Sequence, residues 1–344
     1  MLQLKNETPF EVEIALFPDE HGVDTLYVTV KATFKIGKTL TVDDEQIPMV
    51  YADEYWGEPG QSSLKYAAEL HLIKPSTDIV LIGHAQAPDR QLVKQLDVTL
   101  SVADQNKTVR VFGNRQWESG LLSLRMTPPE PFEMMPLIYE RAFGGFHEIN
   151  AEKGKILFES LNPVGSGFVG KRKEKEIKGL FLPNLEAPAS LISQPKDQPP
   201  PAGFGYIAGS WEPRKLFAGT YDEIWQKTSA PYLPKDFNPC FFNAAHPDLI
   251  CKSYLQGGEP VALINVSPHG PLNFKLPSCG LVANVRIAGS TETPPLNMET
   301  VLFEPDQSRF FMIWRGAVAC DKSALKVEQI DVALQHLDLE GRKR

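Results

Sequence analysis

Apolar and polar residues alternate with a period of two at both ends of this chain and lose any period in the middle. Residues 27–36, YVTVKATFKI, place Val28, Val30, Ala32, Phe34 and Ile36 on one face and Tyr27, Thr29, Lys31, Thr33 and Lys35 on the other. That pattern predicts a half-buried strand. LDVTLSV repeats it with Leu96, Val98, Leu100 and Val102 inward; DQNK (104–107) offers a turn and TVRVF returns as the hairpin partner. EVEIALF near the start is a further candidate strand, and DIVLIGHA (78–85) is apolar on both faces, as in a central strand. After residue 260, VALINV, LVANVRIA, METVLFE and RFFMIWRG are strand-length runs separated by HGP, STETPP and PDQ. KVEQIDVAL (326–334) fits a strand or a short amphipathic helix. Helices are expected to be few and short. The best candidates are LKYAAELHL (64–72) and TYDEIWQKT (220–228), the second capped by Thr220 or Asp222. The predicted fold is mainly β, with an antiparallel β-sandwich or barrel-like core.

Between the two β-rich ends the chain reads PFEMMPLIYERAFGGFH, LNPVGSGFVGK, LFLPNLEAP, PPPAGFGY, LFAGTYDEIW and PKDFNPCFFNAAHPD. Residues 127–250 hold 16 of the 29 prolines, more than twice an ordinary share of about 5%. Structureless loops beyond ~12–15 residues are uncommon inside compact domains unless functional or disordered. The aromatic, leucine and isoleucine content argues against disorder. An ordered, irregular and specialised segment is therefore expected. Its many apolar anchors favour one integrated domain over 1–344, with an N-terminal β part (1–126), the irregular segment (127–250) and a C-terminal β part (251–344).

Composition narrows the function classes. A net charge of −8 disfavours nucleic acid, which demands a basic patch or stripe. No run approaches the ~18 apolar residues of a membrane span. The N-terminal MLQLKNETPFEVEIALF lacks a continuous apolar stretch and reads as a strand rather than a signal peptide. Four widely spaced cysteines, Cys240, Cys251, Cys279 and Cys320, read as free thiols in a cytoplasmic protein. KRKEKEIK (171–178) reads as a solvated excursion, and the GRKR tail is expected to fray.

Motifs for chemistry are sparse. Gly165 to Arg172, GSGFVGKR, satisfies GxGxxG and most of a P-loop, but arginine replaces the hydroxyl residue that binds Mg²⁺. Asn162-Pro163 precedes it where a buried strand should end, so a glycine-rich turn is expected. There is no GxSxG elbow. Cys240, His246 and Cys251 form the one sulfur–nitrogen cluster, and it lacks the four tightly paired ligands of a structural zinc site. No catalytic, cofactor-binding or metal-ligating residue is assigned, and no cofactor is expected. MPLIYERAFGG instead sets Tyr139, Glu140 and Arg141 among large apolar groups. A buried arginine must be paired and hydrogen-bonded. Glu140 and Arg141 read first as a framework pair, and second as partner contacts or catalytic groups. Asn162, Asn184, Asn238 and Asn243 are expected to satisfy loop backbone groups that no sheet ladder reaches.

The ordered set NETPF, VTVKATF, KPSTDIVLIGHA, PLIYERAFGG, NPVGSGF, LPNLEAP, PAGFGY, AGTYDEIW and DFNPCFFNAAHPD resembles a bacterial domain-of-unknown-function family. Members are typically encoded beside type VI secretion genes, next to VgrG- and PAAR-type spike proteins and toxic effectors. The resemblance spans about residues 6–270 and implies an effector adaptor or chaperone without supplying an active site. Its implied partners are a secreted effector and the VgrG/PAAR spike. An adaptor needs aromatic anchors within a polar rim. Phe204, Tyr206, Trp211, Tyr221, Trp225, Phe241 and Phe242 are the candidates, provided they are exposed. The rival expectation is a hydrolase or glycan-binding protein for carbohydrate or cell wall on the β scaffold. An enzyme of that kind requires a cleft with two carboxylates and a strongly shifted pKa.

Overall fold

The computed structural model describes residues 2–121, 123–150 and 154–340; the GRKR tail, expected to fray, lies outside them. The strand Asp24–Lys35 runs through a six-stranded sheet, flanked by Glu11–Pro18 and Arg309–Ala319, with Asn297–Glu304 and Asp78–Leu81 following. Thr41–Val42 pairs with its far end. The pairs are antiparallel except Asp78–Leu81 with Asn297–Glu304, so the sheet is mixed. Phe34 lies opposite Phe310 and Tyr27 opposite Ala317, which places the two ends of the chain side by side.

The strand expected over 27–36 as half-buried runs from Asp24 to Lys35 and is buried on both faces. Its polar face is covered by the segment that follows it. Gln46 donates to the Thr33 carbonyl (3.1 Å) and accepts from its amide (2.9 Å), while Lys31 reaches Glu69. The threonines and lysine thus find partners inside the protein instead of water.

A second sheet orders Leu185–Glu186, Gln105–Phe112, Gln95–Val102, Pro260–Ile264 and Leu272–Lys275, all antiparallel. Val98, Leu100 and Val102 point into the core as the alternation predicts. The hairpin turn is tighter than DQNK: Gln105 already pairs with Val102, and Ala103 takes the left-handed conformation (φ 53°) that closes it. The Phe274 ring meets Phe303 and Phe310 of the first sheet at 6.2 and 5.3 Å, joining the two. In a third sheet Gln3–Glu7 runs parallel to Val327–Asp338, beside Ser278–Ile287 and Ser290–Glu292. KVEQIDVAL is therefore strand. The fold is mainly β, and among the described residues no sheet closes into a barrel. One apolar cluster takes in Val30 and Phe310, Leu100 and Val109, Val285 and Ile330, and also Phe204, Tyr206 and Trp211 of the irregular segment.

Two further expectations change. Asp78–Leu81 is buried as a central strand would be, yet it ends its sheet. The irregular segment shields it: the Leu81 amide donates to the Phe204 carbonyl (3.0 Å), Ile250 bridges to Asp78, and just beyond the segment the Cys251 amide donates to the Thr77 carbonyl (2.9 Å). LKYAAELHL is not a helix. Leu64–Tyr66 pairs with Glu54–Tyr55, and Glu69 is drawn onto Lys31. Only the other candidate forms, as Glu223–Thr228, where Asp222 caps by accepting from the Trp225 amide at 2.8 Å. Thr220 bonds Asp236 instead (2.7 Å).

Candidate functional site

Tyr139, Glu140 and Arg141 make one 3₁₀ turn in the irregular segment. Glu140 and Arg141 each reach a different segment of the chain. The Glu140 carboxylate accepts from the amide and hydroxyl of Ser63 (2.7 and 2.6 Å). Arg141 donates to the side-chain oxygens of Asn184 (3.0 Å) and Asn114 (3.3 Å). Asn162 donates to the carbonyls of Tyr139 and Phe143, and Asn184 to that of Phe112. Asn238 accepts from the Cys240 amide and Asn243 donates to the Ser76 carbonyl. The turn is a clasp for loops that lack ladder partners.

The first sheet and its cover segment also hold an ionic layer that the sequence did not single out. Arg315 is fully buried. Its Nε donates to Glu299 (2.7 Å), Nη1 to the Thr29 hydroxyl (2.8 Å) and Nη2 to the Glu69 carbonyl. Glu299 also accepts from the Lys74 amide (2.6 Å), and Lys74 Nζ donates to Asp78 (2.8 Å) and Thr300 (2.9 Å). Asp78 then receives Asn243 (2.9 Å) and the Ala244 amide (2.8 Å), while Lys31 meets Glu69 at 2.8 Å. Lys31, Lys74 and Arg315 balance Glu69, Asp78 and Glu299. Burial pushes the Glu69 and Glu299 carboxyls up, against the downward pull of Lys31 and Arg315 respectively. His71, stacked on Phe242 at 5.2 Å, is held well below its ordinary value by burial and by Arg315, so it is neutral. The cavity beside this layer measures about 10 Å³, room for one water and no substrate.

The aromatic candidates divide by burial. Phe204, Tyr206 and Trp211 are core side chains and offer nothing to a partner. Phe241 and Phe242 are half-buried in a cluster with Phe237, at 5.9 and 5.6 Å, and the Arg214 guanidinium lies 5.0 Å over Phe241. Tyr221 is exposed and contacts half-buried Trp225 at 4.8 Å. Leu216, Ile224 and Tyr232, which the sequence reading passed over, are exposed on the same excursion, Ile224 to 70%. The excursion is braced internally by the bond from Trp225 Nε1 to the Tyr232 carbonyl (2.8 Å). A second exposed group, Phe146, Ile156 and Phe158, sits on the hairpin of Phe146–Asn150 and Lys155–Phe158, with Phe146 opposite Phe158. No apolar–polar alternation marks either strand, FHEI or KILF.

The remaining motifs resolve into local structure. Gly167 and Gly170 have positive φ, Ser166–Gly167 pairs with Phe143–Gly144, and the helix beyond, Glu174–Ile177, has a single turn. All four cysteines are free. Among the described residues no group of three or more His, Cys, Asp or Glu is placed to hold a metal ion, and no helix is long and apolar enough to cross a membrane. A groove of about 540 Å³ carries His84, Arg90, Glu133, His269 and Asp306, with Asp306 bonded to His84 Nδ1 at 2.7 Å.

A family model described as "Uncharacterized protein conserved in bacteria (DUF2169)" matches residues 21–315. No curated protein and no solved structure matches the chain.

Proposed function

The chain belongs to this uncharacterized bacterial family, and from that premise we propose that it is a non-enzymatic adaptor or chaperone. In this reading it acts in the cytoplasm, holds a type VI secretion effector and helps load it onto the VgrG/PAAR spike. The observation that carries the reading is the exposed apolar group Leu216, Tyr221, Ile224 and Tyr232 on one braced excursion. Rigid aromatic side chains bind at low entropic cost, and a polar rim of Asp222, Lys235 and Asp236 surrounds the hollow beside Ile224 and Trp225. The carboxylates with raised pKa, which an enzyme would use, sit where no substrate fits. The test is co-expression with the neighbouring open reading frames followed by pull-down. A stoichiometric complex that stabilises an effector is expected, and Tyr221→Ala/Ile224→Ala should weaken it at least tenfold. Association with none of the neighbours would end the proposal.

The rival, a hydrolase or glycan-binding protein acting on carbohydrate or cell wall, draws support from the groove at His84. A carboxylate bonded to one imidazole nitrogen is the arrangement by which a general base is oriented. Glycan turnover by the native protein, lost in His84→Ala, would favour it over the adaptor.

A further inference from the structure

A cavity of about 120 Å³ lies against Tyr139, walled by Ile207 and by the rings of Pro200, Pro201, Pro213 and Pro247. Tyr139 is 3% exposed, and its hydroxyl has no hydrogen-bond partner. A buried hydroxyl left unpaired is costly. The ring cannot readily turn away. Gly203 admits it, since a Cβ there would stand 2.9 Å from the ring, and Trp211 closes on it edge-on at 5.9 Å. The PAGFGY run thus supplies a glycine where the tyrosine needs space.

The other polar groups around the cavity are engaged. His246 Nε2 donates to the Pro201 carbonyl (3.3 Å) and Nδ1 accepts from the Asp248 amide (3.2 Å), so the ring is neutral. Glu212 accepts from the Ser160 hydroxyl at 3.0 Å. Proline fixes its own φ, so four prolines make a preformed wall. An apolar cavity of ~150 Å³ accommodates benzene, and this one is slightly smaller. A charged group would lie unpaired against the proline rings, and an anion would also face Glu212.

We propose that this cavity binds a small uncharged molecule with a benzene-sized apolar body and one hydrogen-bond acceptor, which meets the Tyr139 hydroxyl. The inference does not depend on the adaptor reading. Pyridine and benzene share a shape and differ by one ring acceptor, so they serve as probes above pH 7. Titrations of the whole protein are followed by NMR shifts, in the native chain and in Tyr139→Phe. Pyridine should bind the native protein, and Tyr139→Phe should weaken it roughly five- to tenfold, the contribution of one hydrogen bond. Benzene affinity should be the same in both, which also reports an intact cavity. Thermal melting of the variant should match or exceed that of the native protein. Failure of pyridine to bind, an equal response of both probes to the substitution, or a clearly lowered melting temperature would overturn the proposal. The last result would mean that water already satisfies the hydroxyl.

Discussion

Arg315 ties two strands of the first sheet to the cover segment through Thr29, Glu299 and the Glu69 carbonyl. Arg315→Met leaves Glu299 buried beside Lys74 with its main partner gone. A loss of about 3–5 kcal/mol is expected, read as a lowered midpoint in urea. His246 sets a pH dependence. Burial and Lys107 hold its folded pKa at about 4, against 6.5 for the ordinary value. Between these pH values the unfolded chain binds the extra proton. Stability is therefore full above pH 6.5 and falls as the pH drops towards 4. His71 is shifted the same way and adds to the fall. Urea midpoints at pH 7.5 and 5 should show the loss, and His246→Gln should reduce the difference between them.

At the scale of the element, the excursion around Glu223–Thr228 is the piece to probe. Asp222→Ala removes the bond to the Trp225 amide and should cost about 1 kcal/mol of helix stability. Protease nicking confined to residues 213–237 would report it. Tyr221→Ala/Ile224→Ala should leave the melting temperature within a few degrees of native, since exposed side chains away from such features count for about ±0.5 kcal/mol. Effector capture should fall nonetheless. The sequence revealed most strands because a one-faced alternation survives in the folded sheet. It misled at Thr29, Lys31 and Thr33, which look solvated until Glu69, Gln46 and Arg315 arrive from elsewhere in the chain. It misled at 64–72 for the same reason: Glu69 answers to Lys31, 38 positions away, and no local spacing encodes that. The asparagines were legible because unpaired loop backbone always needs partners. The cavity at Tyr139 was not, because it arises where 139, 200–213 and 246–247 converge.

For the whole molecule, one apolar cluster spans all three main sheets and the irregular segment, so the proline-dense centre is part of the core as well as the source of exposed side chains. The pairing of Asp24–Lys35 with Arg309–Ala319, and of Gln3–Glu7 with Val327–Asp338, governs how the protein is made. During synthesis the early strands emerge long before their neighbours exist, and their apolar edges wait unpaired. Such distant closures slow folding and expose the nascent chain to aggregation. A chain stopped before residue 297 should remain open to protease digestion throughout, whereas one that includes residue 338 should become resistant in a single step. The ribosome must therefore release the chain through about residue 338 before the strands at 3–7 and 24–35 can settle.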